Sequence, residues 1–266
     1  MGMPSYDLKL DWAEQHLDKL ERAIGKYSDR HPYTIAVRMK HNGKGNVVSF
    51  EFTEQPGDDI ALIAGDFLYN VRASLDHIAG CIVPAKRRGR ANYPVFRQGV
   101  WEPSVVGEDK QRTIDRTSWF DCTNDMADDP VAIIKANQPP DLGPNVHNPH
   151  TLAILNRLRN KDAHAKLTVV SEGLIAPYTV AKRADGTLVE LRDTSFGNRE
   201  ALQHGAPIDG IPDDVVEMQI SGTAEVFIRA GLGEGAYSIR ETFRPLLLGQ
   251  TRTLIDLIRP FDRVNI

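Results

Sequence analysis

Cysteine is scarce in this chain: Cys81 and Cys122 are the only two in 266 residues. Two cysteines do not make a disulfide framework, and a reducing compartment fits this usage. Long apolar runs are also missing. No window approaches the roughly 20 apolar residues that a membrane span needs, so no membrane partner is expected. The opening residues Met1-Gly2-Met3-Pro4-Ser5 hold no apolar signal core, and the expected location is cytoplasmic. Neither sign of charge dominates. Lys+Arg 32 against Asp+Glu 36 leaves a net charge of −4, which argues against a globally basic nucleic-acid binder and leaves room for a local patch. No Gly/Ser-rich or Pro-rich linker, low-complexity run or solenoid repeat divides the chain. A single domain over residues 1–266 is therefore expected, and 41% hydrophobic residues can supply one sizeable core.

What is present reads as α+β: four main helices forming a bundle core, with an antiparallel β-meander. The first helix is expected from about Tyr6 to Tyr27, with Leu8, Trp12, Leu17, Leu20 and Ile24 mostly on one face and Glu14, Lys19 and Glu21 solvated. Tyr33 to Met39 and Val47 to Phe52 alternate as a hairpin around His41-Asn42-Gly43-Lys44-Gly45. A long helix follows from Asp58 or Asp59 to about Val83, ended by Pro84. Val131 to Asn137 is a short helix. A third long helix is expected to begin at Pro149, with Asn148 as cap, and to run to about Ala165. Strands are expected at 167–170, 179–182, 187–191, 215–220 and 224–228. The last helix runs from about Ser238 to Ile258.

Two of these helices carry polar stripes. On the second, Ile60, Ala64, Phe67, Leu68, Val71, Leu75, Ile78 and Ile82 form the core face. Asp66, Asn70 and His77 share another stripe, and Arg72 and Asp76 are four apart and suited to pairing. On the third, Asn156, Asn160 and His164 share a stripe, while Asp162 falls beside Leu155 and Leu158. A carboxylate among leucines needs a partner if buried, and His77 or Arg72 is the expected one.

The segment Leu68-Tyr69-Asn70-Val71-Arg72-Ala73-Ser74-Leu75-Asp76-His77 resembles the NLRSALDH-like helix of an uncharacterised bacterial family. In that family a Tyr/Phe-Pro-Ile/Val-Phe element, a Gln-Pro step and an Asn-x-Asp-Lys-His helix come next. The counterparts here are Tyr93-Pro94-Val95-Phe96, Gln138-Pro139 and Asn160-Lys161-Asp162-Ala163-His164. Ala163 departs from the family's Lys, and Ala165 from its frequent Arg. The resemblance carries no activity with it.

Arg159-Asn160-Lys161-Asp162-Ala163-His164 also resembles the Arg-x4–6-His motif of HEPN domains, many of which are metal-independent RNases, and Arg72 to His77 has the same spacing. That resemblance implies Arg159 as phosphate stabiliser and His164 as general acid/base, with Arg72 and His77 as a second half. Asn160, Asp162 and Asp76 would orient the histidines. The chemistry is coherent, since His titrates near neutrality and Arg stabilises charge on a phosphorane. HEPN sites usually join two copies, so a composite site within the chain or a homodimer is implied, with RNA as partner. The spacing itself recurs easily. Among 21 Arg and 8 His it occurs three times, the third at Arg199 to His204, where chance gives about 0.6.

Lys86-Arg87-Arg88-Gly89-Arg90 is read as a basic loop, and Lys86, Arg87, Arg88 and Arg90 are the candidate phosphate contacts. His147 and His150, with His164, offer imidazoles for a metal, but no Cys or Glu completes a recognised spacing. Gly231 to Gly235 is read as a turn. Neither metal nor cofactor is expected. The leading expectation is a HEPN-like RNase of a defence or toxin kind. The alternative is a non-catalytic binding or structural protein whose Asn, Asp and His residues form a helix-to-helix hydrogen-bond network.

Overall fold

Apolar side chains recurring at helical spacing place α2 (Asp58–Ile82) at the centre of the protein. The computed structural model describes residues 3–41, 43–96, 119–140, 150–196, 211–229 and 236–264. All eight residues expected on the core face of α2 are buried. On one side α2 packs against α1 (Ser5–Ser28), and on another against α5 (Thr151–His164). Two shorter helices precede α5: α3 (Trp119–Thr123) and α4 (Asp128–Ala136).

The C-terminal helix is broken into pieces. Ile239–Thr242 (α6) passes into a π-helical stretch, Phe243–Leu248, and then into α7 (Gly249–Ile258). Pro245 lies inside the π-helical stretch. It has no N–H to give to the preceding turn, and its ring would clash there in a regular α-helix. A wider turn relieves both problems. The phenyl rings of Phe67 on α2 and Phe243 stack at 4.9 Å and 19°, both fully buried, and fix this turn onto the core.

The strands form two antiparallel sheets. β1 (Tyr33–Met39) and β2 (Asn46–Phe52) are the expected hairpin, with Tyr33 opposite Phe52. Gly45 in its turn has φ +81°, and a Cβ there would meet the Asp213 side chain at 2.6 Å, so only glycine fits. The second sheet has the order β4-β3-β5-β6, from β3 (Thr168–Arg183), β4 (Leu188–Phe196), β5 (Val215–Arg229) and β6 (Ala236–Ser238).

The α+β class is what the structure has, but the finer expectation is corrected. The helices are more numerous than four and do not form a clear bundle. The larger sheet is not a simple meander, because β5 lies beside β3 and not beside β4. Segments 167–170 and 179–182 are parts of one long strand, as are 215–220 and 224–228. Register shifts between Ser171 and Gly173, and between Ile175 and Tyr178, let β3 continue past Gly173 and Pro177.

Leu8 and Trp12 are also corrected. Both are about half exposed, and the buried face of α1 is Tyr6, Leu10, Ala13, Leu17, Leu20 and Tyr27. α5 begins at Thr151, capped by His150, whose Nδ1 accepts from the Leu152 N–H at 3.3 Å. Asn148 and Pro149 lie outside the described residues, as do His147, Arg199, His204 and Gly231 to Gly235. No helix among the described residues is long and apolar enough to cross a membrane.

Candidate functional site

Arg72 and Asp76 pair along α2, as their spacing predicts: Arg72 Nη2 donates to Asp76 Oδ1 at 2.9 Å. Both also grip the backbone of Tyr93. Arg72 Nη2 donates to the Tyr93 carbonyl at 2.6 Å, and the Tyr93 N–H donates to Asp76 Oδ1 at 2.9 Å. The Tyr93 side chain is buried, and burial raises its phenol well above the usual range, with the Arg72 charge acting the other way. One step along, the Gln138 side chain accepts from the Phe96 N–H at 2.7 Å and donates to the Pro94 and Ile134 carbonyls at 3.0 Å each. The Arg72/Asp76 helix, the Tyr93–Phe96 segment and the Gln138 step are therefore parts of one hydrogen-bonded clamp. Three buried polar atoms in this neighbourhood have no protein partner among the described residues: Arg72 Nη1, His77 Nδ1 and Tyr93 Oη.

Asp162 does not meet His77 or Arg72. Its carboxylate lies over Gly65 of α2, so close that a Cβ at that glycine would stand 2.5 Å from Oδ1. Lys166 pairs with Asp58 just beyond. The C-terminal end of α5 therefore runs beside the first half of α2. From Gly65 to His77 the axis of α2 extends about 18 Å, so His164, on the far side of Asp162 from His77, lies well away from that histidine. Within the Arg159/His164 and Arg72/His77 pairs, five residues of helix turn the side chains about 140° apart. His164 and Asn160 are exposed and Arg159 is half-buried, whereas His77 is half-buried beside the clamp.

Burial, and then the neighbouring Asp66 carboxylate, hold the Asp162 carboxyl above its ordinary range, while Arg159 pulls it down. Asp66 itself faces His16, with Nδ1 and Oδ2 at 3.8 Å, and burial lowers the His16 imidazole while Asp66 raises it. A native pKa above the unfolded one means that ionisation of Asp162 weakens the fold as pH rises through it. Asp162→Asn is expected to add about 0.5 kcal/mol of stability near pH ~7, a figure reduced for solvent screening. The gain should vanish below pH ~4, where the carboxyl is protonated. Urea unfolding at both pH values checks this. A loss of stability at neutral pH would show that the Arg159 attraction dominates.

No family model, curated protein or solved structure matches the chain.

The basic segment is a 3₁₀ helix, Ala85–Arg90, and not a loop. Lys86, Arg88 and Arg90 are exposed, while Arg87 pairs with Asp125 at 2.8 Å. The buried thiol of Cys81 is pushed up to about 11 by desolvation, away from reactive thiolate chemistry.

A separate pocket lies elsewhere. A cavity of about 550 Å3 lies between α1, β5 and the π-helical turn, with Ile24, Gly25, Ala224, Val226 and Pro245 in its wall. Arg244 stands at its edge. Glu21 holds it at 2.9 and 3.0 Å and Asp18 at 2.7 Å, with Glu14 at 3.5 Å. These carboxylates, together with desolvation acting in the opposite sense, leave the guanidinium well above its usual pKa. The i, i+4, i+7 spacing of Glu14, Asp18 and Glu21 was the signal for this grip, but an acidic stripe reads as solvated until its partner is seen.

Proposed function

We propose that this is a non-catalytic binding protein in which the polar residues of α2 hold the architecture. One observation carries the reading: the charged groups of Arg72 and Asp76 are both engaged on the Tyr93 backbone. An arginine so held presents only part of its fork to a phosphate.

The binding surface in this reading is the cavity between α1, β5 and the π-helical turn. Its volume falls in the range of small-molecule sites, about 300–1,000 Å3, and π-helical turns recur at functional positions. Its mainly apolar wall suits a small apolar or amphipathic ligand. Gly25 gives the test. A Cβ there meets nothing within 4 Å, and the residue lines the cavity. Gly25→Leu is expected to fill the space while gaining roughly 0.5–1 kcal/mol in helix propensity. Wild type should enhance the fluorescence of anilinonaphthalene sulfonate, Gly25→Ala should keep the effect, and Gly25→Leu should abolish it. Equal enhancement in all three proteins would reject the cavity as the binding surface.

A second reading, RNA cleavage in a HEPN-like manner, is favoured by the exposure of His164 at the end of α5. His77 lies too far along α2 to be its second histidine, so a second copy of the chain would have to supply one. Lys86, Arg88 and Arg90 would then contact phosphates.

A further inference from the structure

Four cations gather where the C-terminal half of α1 passes the first turn of α2. Lys19, Arg22, Lys26 and Arg30 line a cavity of about 360 Å3, with Ile60 and Ile63 of α2 on its apolar side. The first three recur at i, i+3 and i+7 and so share one stripe of α1. Arg30 is held by Glu54 at 2.6 Å and lies over the Tyr27 ring at 5.6 Å. Lys19 rests over the Trp12 ring at 5.8 Å. Arg22 and Lys26 pair with no carboxylate among the described residues. The carboxylate in the wall is Asp59, which folds back toward Gly57, where a Cβ would lie 2.6 Å from Oδ1. The charges of Arg22 and Lys26 are therefore left uncompensated at an open pocket, on a chain whose net charge is −4. Gly57 gives the start of α2 no side-chain cap, and the dipole of this long helix adds a field of the same sign.

We infer that this cavity binds a phosphorylated small molecule, with its phosphoryl oxygens between Arg22 and Lys26 and its organic part against Ile60 and Ile63. Arginine meets a phosphate as a fork and lysine as a point charge, and the apolar wall leaves room for more than a free anion. The volume suits a small ligand. A polynucleotide needs a basic groove that continues along its backbone, and here the cations surround one cavity. This site is separate from the apolar cavity, so either can fail alone.

Isothermal titration calorimetry with phenyl phosphate, inorganic phosphate and a single-stranded RNA oligonucleotide tests the assignment. Phenyl phosphate should bind more tightly than inorganic phosphate. The double variant Arg22→Gln/Lys26→Gln, which changes only exposed side chains, should weaken phenyl phosphate by at least about tenfold. Asp59→Asn should tighten it, because the competing carboxylate is gone. Equal affinity in wild type and double variant would overturn the site, as would the absence of phenyl phosphate binding. Binding of RNA without binding of phenyl phosphate would overturn it in favour of a polynucleotide surface.

Discussion

Asp76→Ala is expected to lower the unfolding free energy by about 3 kcal/mol. Its Oδ1 accepts from both Arg72 and the Tyr93 N–H. Truncation therefore leaves a buried backbone donor and a guanidinium with only 15% of its side chain exposed, both without that acceptor. Each loss carries a desolvation cost, and the charge makes it larger. Asp76→Asn keeps an acceptor for Tyr93 but removes the ion pair, so it should cost about half as much. The expected order in urea unfolding is wild type, then Asn, then Ala. A change below about 0.5 kcal/mol in the Ala variant would mean that the clamp does not hold the fold.

Phe67→Ala should cost more, about 4 kcal/mol. Both it and Phe243 are fully buried and stacked, so truncation loses transfer energy, opens a void in the core and removes an aromatic pair. The effect should reach function as well. Phe243 begins the π-helical turn whose Arg244 and Pro245 line the apolar cavity. Fluorescence enhancement of anilinonaphthalene sulfonate should therefore weaken in any Phe67→Ala protein that stays folded. Phe67→Leu, which keeps most of the volume, should cost less and keep the enhancement. Equal stability of Phe67→Ala and wild type would show that this contact does not anchor the turn.

The core face of α2 was legible in the sequence because helical periodicity states it directly. The Arg72–Asp76 pair was legible for the same reason. Its second role was not, because Tyr93 lies many residues away and only folding shows that both side chains meet its backbone. The NLRSALDH-like helix, Tyr93-Pro94-Val95-Phe96 and Gln138-Pro139 were visible as separate motifs, whereas their joining in one clamp was not. Asp162 stands out in the sequence as a carboxylate beside leucines. Its neighbours are not legible there, because the antiparallel run of α5 along α2 sets it beside Gly65 and Asp66. β3 and β5 read as four strands because glycine and proline punctuate a sequence whether or not a bulge absorbs them. The stripe of Lys19, Arg22 and Lys26 was visible by spacing, but a charge stripe shows its cavity only once α2 is placed beside it.

In the proposed function Arg72 and Asp76 of α2 are architectural, and Arg159 and His164 of α5 form no catalytic pair. The direct measurement is incubation of wild type and His164→Ala with a panel of single-stranded RNAs and tRNA, followed by gel analysis of the products. His164 is exposed at the end of α5, so its replacement leaves the clamp intact. The account predicts intact RNA in both samples, at the level of a protein-free control. Cleavage by wild type that disappears in His164→Ala would contradict it and establish the nuclease reading in its place.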